Sequence, residues 1–151
     1  MVDHVWTVLC LDFVTDNESN NMTLINTLEQ VSMVAAPEAK AQIPDRIDVR
    51  MALATLWTRA DPTKGASTDG RVTLKSPSGK TLWSKEYPVN LKKYSRKRQR
   101  IWFPNIDFEG FGRYRFIVHK KTPSGRWTKV ASVPLEVVQG ESAPAGSKAT
   151  H

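Results

Sequence analysis

The densest group of side chains that could do chemistry lies in residues 92–102, KKYSRKRQRIW. Six of the first nine residues are lysine or arginine, and Tyr94 and Trp102 flank the densest part. Clustered cations can neutralise phosphates with release of counterions, and aromatic rings can stack on unpaired bases. The segment therefore predicts a polyanion-binding site, whose candidate residues are Lys92, Lys93, Tyr94, Arg96, Lys97, Arg98, Arg100 and Trp102.

The same segment also has a simpler interpretation as a solvated loop and edge strand. Positive charges there would discourage edge-to-edge aggregation, and Tyr94 and Trp102 could be ordinary core residues. Arg71, Arg113 and Arg115 would extend a basic surface only if their strands lie nearby. Membrane binding by this run is not expected, because stable anchoring usually takes two signals and the sequence offers one.

The histidines do not indicate a catalytic site. A nucleophilic site needs a hydroxyl or thiol, a histidine and an orienting acid. His4 precedes the predicted first strand, His119 lies among lysines on an outward face, and His151 is the last residue. No Gly-x-Ser-x-Gly motif is present. The sequence therefore predicts a non-enzymatic protein that needs no cofactor.

The first polar turn carries the only carboxylates that resemble metal ligands. Asp12, Asp16, Glu18 and Asn20 offer oxygen donors of the kind that Ca²⁺ prefers. Their spacing lacks the glycine and the distal glutamate of a calcium-binding loop, and Asp and Asn make such turns without an ion. We therefore predict a plain turn and no metal site. The one cysteine, Cys10, lies in an apolar run and is predicted to be a buried hydrophobe.

Length and charge place further bounds on the protein. The 151 residues fit one domain. The net charge of +7 is uneven, with eight acidic and three basic residues in 1–50 but seven acidic and nineteen basic in 51–151. Such asymmetry indicates an anionic partner, a surface that pairs with a copy of itself, or only solubility.

The N-terminus resembles neither a signal peptide nor a transmembrane segment, so a cytoplasmic location is expected.

A hydrophobic period of two dominates the chain and predicts strands. About eight are expected, at residues 5–14, 22–34, 45–57, 71–75, 81–89, 101–103, 110–120 and 126–138. Pro-Ser-Gly sequences at 76–79 and 122–125 predict tight turns. Alternation predicts that inward side chains meet in one interior, among them Ile47, Val49, Leu53, Phe116 and Val133.

These elements predict an all-β fold, an antiparallel two-sheet β-sandwich of immunoglobulin-like or jelly-roll-like type. Strand order stays open, because sandwiches, jelly rolls and small barrels share these patterns. The sandwich would span residues 1–138, and the small polar residues 139–151 predict a disordered tail. Gly112-Arg113-Tyr114 resembles the entry to a late strand of immunoglobulin-like domains, where a tyrosine packs inward and returns its hydroxyl to the backbone.

Three segments together resemble a family of small bacterial proteins that carry a domain of unknown function. They are residues 9–31, LCLDFVTDNESNNMTLINTLEQV, residues 112–116, GRYRF, and residues 130–137, VASVPLEV. The resemblance covers roughly residues 5–138. It implies a bacterial or phage origin and a β-sandwich. It implies no activity, and no functional residues are carried over from it.

Two functions follow as hypotheses. The first is a non-enzymatic interaction module that binds a protein partner, or a second copy of itself, through a sheet face or edge. It rests on strands that are apolar on both faces and on the lack of a reactive group of residues. The alternative is nucleic-acid or polyanion binding through residues 92–100.

Overall fold

The structure, a computed structural model, describes residues 1–34 and 44–140. Within these residues it contains eleven strands and no helix, which confirms the all-β prediction and shows that the count of about eight strands is wrong. The strands are β1 (Val2–Thr15), β2 (Met22–Thr27), β3 (Gln30–Met33), β4 (Arg46–Ile47), β5 (Met51–Arg59), β6 (Ala66–Lys75), β7 (Thr81–Leu91), β8 (Arg96–Phe103), β9 (Ile106–Asp107), β10 (Gly112–Lys121) and β11 (Trp127–Gln139).

The strands form two large sheets and one small one. The four-stranded sheet has the order β2-β1-β5-β8, the five-stranded sheet has the order β3-β11-β10-β6-β7, and β4 pairs with β9. All neighbours are antiparallel except β3, which runs parallel to β11. The prediction of purely antiparallel sheets is therefore wrong at one edge.

Of the three additional strands, one is β9, which lies outside every predicted strand, and the other two arise where the chain changes sheet. The predicted strand 22–34 divides because β2 pairs with β1 while β3 pairs with β11. Asn26 has a φ of 51°, in the left-handed region, and the Leu28 N–H donates to the Leu9 carbonyl at 2.8 Å. The predicted strand 45–57 divides at residues 48–50, because β4 pairs with β9 and β5 with β1 and β8.

Both predicted Pro-Ser-Gly turns are confirmed. In the hairpin of β6 and β7, Gly79 has a φ of 89° and its N–H donates to the Ser76 carbonyl at 2.9 Å. Between β10 and β11, Gly125 has a φ of 82° and its N–H donates to the Thr122 carbonyl at 2.9 Å. Glycine suits both positions because it has no Cβ to oppose a left-handed backbone.

Both large sheets contribute side chains to one hydrophobic core. Ile47, Leu53 and Phe116 belong to the buried cluster, and Val49 and Val133 pack against it, so the predicted interior is confirmed. The sheets meet there because alternate residues of each strand face the same side. Cys10 is fully buried, as its apolar neighbours predict.

Tyr114 forms the predicted corner at the start of β10. Its side chain is fully buried, and its hydroxyl donates to the Gly110 carbonyl at 2.9 Å and accepts from the Glu109 N–H at 2.8 Å. Burial raises the pKa of Tyr114. The hydroxyl thus satisfies two backbone groups that the turn before β10 would otherwise leave unpaired.

The last described residues continue β11 past the predicted boundary at 138. Gln139 belongs to β11, and the Gly140 N–H donates to the Met33 carbonyl at 2.8 Å. The predicted boundary therefore falls within β11, and the rest of the predicted tail, 141–151, lies outside the described residues.

Candidate functional site

Most of the basic segment is strand and not loop, because β8 begins at Arg96 and not at residue 101, and β8 is an edge strand, as the simpler interpretation predicted. β8 begins at Arg96 and is the last strand of the four-stranded sheet, paired with β5 from Arg96–Thr58 to Phe103–Met51. Ile101 and Phe103 are buried in the core. Since side chains alternate along a strand, Arg96, Arg98, Arg100 and Trp102 lie on the opposite, outer face of the sheet.

These arginines and the two lysines before them form what we call the basic surface: Lys92, Lys93, Arg96, Arg98 and Arg100. All are exposed except Arg98, which is half-buried. Among the residues that the structure describes, none of the five forms an ion pair. The basic surface therefore presents five positive charges with no carboxylate partner of its own.

Trp102 extends the outer face but its ring already has partners. The Arg50 guanidinium lies 4.2 Å from the centre of the Trp102 ring, and the Phe13 ring centre is 5.1 Å away. Arg100 in turn lies 4.9 Å from the centre of the Phe13 ring. Stacking of this kind covers the sheet and holds the guanidinium groups in place. The sequence did not point to Arg50 or Phe13, because both reach the site from other strands or loops.

Lys97 separates from the other candidates. It lies on the opposite face of β8 from Arg96 and Arg98, and its ammonium donates to the Pro88 carbonyl of β7 at 2.8 Å. This hydrogen bond links the ends of β7 and β8, which belong to different sheets. Lys97 thus makes a side-chain hydrogen bond to the other sheet, which Arg96, Arg98 and Arg100 do not make in the described residues.

A groove lies where β7 passes into β8. It encloses about 390 Å³ and is lined by Asn90, Lys92, Lys93, Tyr94, Arg96 and Lys97. The Tyr94 side chain is 70% exposed, so it is not the core residue of the simpler interpretation. Asn90, which the sequence analysis did not single out, accepts a hydrogen bond from the Lys92 N–H at 3.0 Å and so helps to shape the turn.

Arg71, Arg113 and Arg115 do not extend the basic surface. They lie on β6 and β10 of the five-stranded sheet. Arg71 is paired with His119 and Arg115 with Lys75, on the face of that sheet that points away from the core. Arg71 pairs with Glu86, and Arg113 pairs with Glu136. The second sheet therefore has its own basic face, in which two of the three arginines are already neutralised.

The histidines do not assemble a catalytic group in the described residues. His4 Nε2 lies 2.6 Å from Thr7 Oγ1, but no carboxylate hydrogen-bonds to either. Burial lowers the pKa of His4, and burial together with Arg71 and Lys129 lowers the pKa of His119. His151 lies outside the described residues.

The polar turn after β1 satisfies its own carboxylate. Asp16 accepts hydrogen bonds from the Ser19 hydroxyl and from the Glu18 and Ser19 N–H groups, which lower its pKa. Asn20 has a φ of 54°, a left-handed conformation that asparagine tolerates. In the described part of the chain, no three metal-ligating side chains gather into a site.

Comparisons with known proteins do not indicate a function for this chain, so a function is proposed from the geometry of its described residues. Nowhere in residues 1–34 and 44–140 is there a helix with the length and apolar character needed to cross a bilayer. The chain matches no protein-family model, no curated protein and no solved structure.

Proposed function

We propose that this chain is a non-enzymatic interaction module that binds an anionic macromolecule through the basic surface. The observation that carries the proposal is the set of arginines on one face of β8 without an ion pair in the described residues. A row of uncompensated cations costs self-repulsion in the free protein, and an anionic partner relieves it. Strand β8 holds the row straight, at roughly 7 Å between alternate residues.

The scaffold we propose for this surface is a two-sheet sandwich with an immunoglobulin-like strand arrangement. Strands β1, β5 and β8 would take the positions of the first sheet, and β6, β10 and β11 those of the second. The Tyr114 hydroxyl contact with the backbone before β10 supports this assignment over a jelly roll. Interaction surfaces on such sandwiches lie on exposed sheet faces and end loops, which is where the basic surface lies.

A second candidate keeps the hypothesis of a protein partner or a second copy of this chain. β2 is the other outer strand of the four-stranded sheet, and its six residues, MTLINT, include no charge and no proline. Natural sheets usually protect an edge strand with charged residues or proline. Because β2 has neither, this edge suits pairing with another strand. Light scattering distinguishes this candidate, because self-association through β2 makes the mass rise with concentration.

The test of the basic surface compares two variants with equal charge. Arg96→Gln/Arg98→Gln/Arg100→Gln is expected to leave heparin and single-stranded DNA columns at much lower salt than the wild type. The log–log salt slope should fall by roughly 2, since each lost phosphate contact removes about 0.7 on a single strand.

The control is Arg71→Gln/Arg113→Gln/Arg115→Gln, which removes the same charge from the five-stranded sheet. It should elute close to the wild type, and melting temperatures establish that both variants fold. Equal losses in the two variants would show that net charge, and not the basic surface, retains the protein. No retention of the wild type at low salt would reject the proposal.

A further inference from the structure

The groove beside Tyr94 narrows the kind of anion that the basic surface would take. Resting on the proposed function, we infer that the ligand is a single-stranded nucleic acid, with one base stacked on Tyr94 and its phosphates along Lys92, Lys93 and the β8 arginines. The groove and the arginine row adjoin each other, because Arg96 lines the groove and also begins the outer-face row. The phosphate backbone of a single strand could therefore run along the groove and the arginine row and contact positively charged side chains throughout.

Tyr94 is the one candidate aromatic residue with a ring available for stacking. Its side chain is 70% exposed, and it takes part in none of the aromatic or cation–π contacts among the described residues. Trp102 is 37% exposed and already contacts Arg50 and Phe13. When a base stacks on an exposed ring, the apolar face of the ring is removed from water. Every base has a flat π-face that can stack in this way.

The same features argue against a duplex or a sulfated polysaccharide as the preferred ligand. A duplex keeps its bases stacked inside, so it can meet the arginines but gives Tyr94 no free base. A polysaccharide satisfies the charges and has no aromatic face at all. Tyr94 lies in a groove with four cationic side chains, those of Lys92, Lys93, Arg96 and Lys97. This combination best fits a ligand that carries both phosphates and unpaired bases.

The experiment measures binding by fluorescence anisotropy with Tyr94→Ala, Tyr94→Phe and the wild type. The probes are a labelled oligothymidylate of about 12 nucleotides, within the span of single-strand sites, a blunt duplex of the same length, and labelled heparin. Tyr94→Ala should weaken oligothymidylate binding about fivefold or more, the usual effect of losing one base stack. Tyr94→Phe keeps the ring and should bind like the wild type.

Heparin and duplex binding should be unchanged by Tyr94→Ala, because they use only the charges. Since Tyr94 is exposed, the variant should melt with the wild type, which excludes unfolding as the cause. If Tyr94→Ala binds oligothymidylate like the wild type, while Arg96→Gln/Arg98→Gln/Arg100→Gln binds nothing, the stacking inference is wrong and the proposed function stands. If the wild type binds none of the three probes, the proposed function fails as well.

Discussion

Replacing Phe116 with alanine is expected to lower the free energy of unfolding by about 3–5 kcal/mol, the usual cost of an aromatic side chain removed from a core. Phe116 is fully buried on β10. Its ring meets that of Phe103 at 5.2 Å in an edge-to-face arrangement, and Phe103 meets Trp83 at 4.9 Å. Phe103 belongs to the four-stranded sheet, so this contact joins the two large sheets directly.

Urea denaturation followed by tryptophan fluorescence measures the loss. Phe111→Ala is the matched control, because that side chain is 46% exposed and, although its ring meets that of Phe108 at 5.1 Å, its removal should cost only about 1–2 kcal/mol. Equal losses for the two variants would contradict a core shared by the two sheets. A clearly larger loss for Phe116→Ala than for Phe111→Ala supports it.

Replacing Gly70 with alanine is expected to cost about 1–3 kcal/mol through overpacking. Gly70 lies opposite Tyr87 in the β6–β7 pair, and a Cβ there would come within 2.6 Å of two atoms of the Tyr87 ring. The ring has little room to move, because it is buried and packs edge-on against Trp57 at 6.4 Å. Burial also raises the pKa of Tyr87 to about 12.

A double-mutant cycle isolates this contact. In a Tyr87→Ala background the added methyl group meets no ring, so Gly70→Ala should cost far less there than in the wild type. A spectrophotometric titration gives a second readout, since a ring pushed toward water should titrate closer to the ordinary tyrosine pKa of about 10. An unchanged cost in both backgrounds would show that the glycine is needed for another reason.

Local sequence rules predicted the parts of the fold that depend on neighbouring residues. Alternation placed Leu53 and Phe116 in the core, and proline and glycine chemistry predicted the turns that end at Gly79 and Gly125. The Tyr114 corner was predictable for the same reason, because the hydroxyl bonds to backbone only four and five residues upstream. Each of these features is determined within a few positions of the chain.

Features that depend on distant pairing were not predictable in this way. A period of two looks the same whether a strand continues or passes to another sheet, so the divisions at Leu28 and at residues 48–50 gave no signal. The placement of Arg71 and Arg115 on the other sheet likewise follows only from the strand order.

The candidate site was predicted in composition but not in arrangement. Its residue types indicate anion binding, but the sequence predicts a strand only from residue 101. The alternation that separates Lys97 from Arg96 and Arg98 follows only once β8 is known to begin at Arg96. The partners of Trp102 come from Phe13 and Arg50, far away in the chain, and no local pattern links them to it.

The most direct test of the basic surface is to map amide chemical shifts in the isotope-labelled protein as oligothymidylate is added. The largest changes should fall on Tyr94, Arg96, Arg98 and Arg100, with little change at Arg71 or Arg115 on the other sheet. Changes concentrated on the five-stranded sheet, or confined to β2, would contradict the assignment of the binding surface to β8.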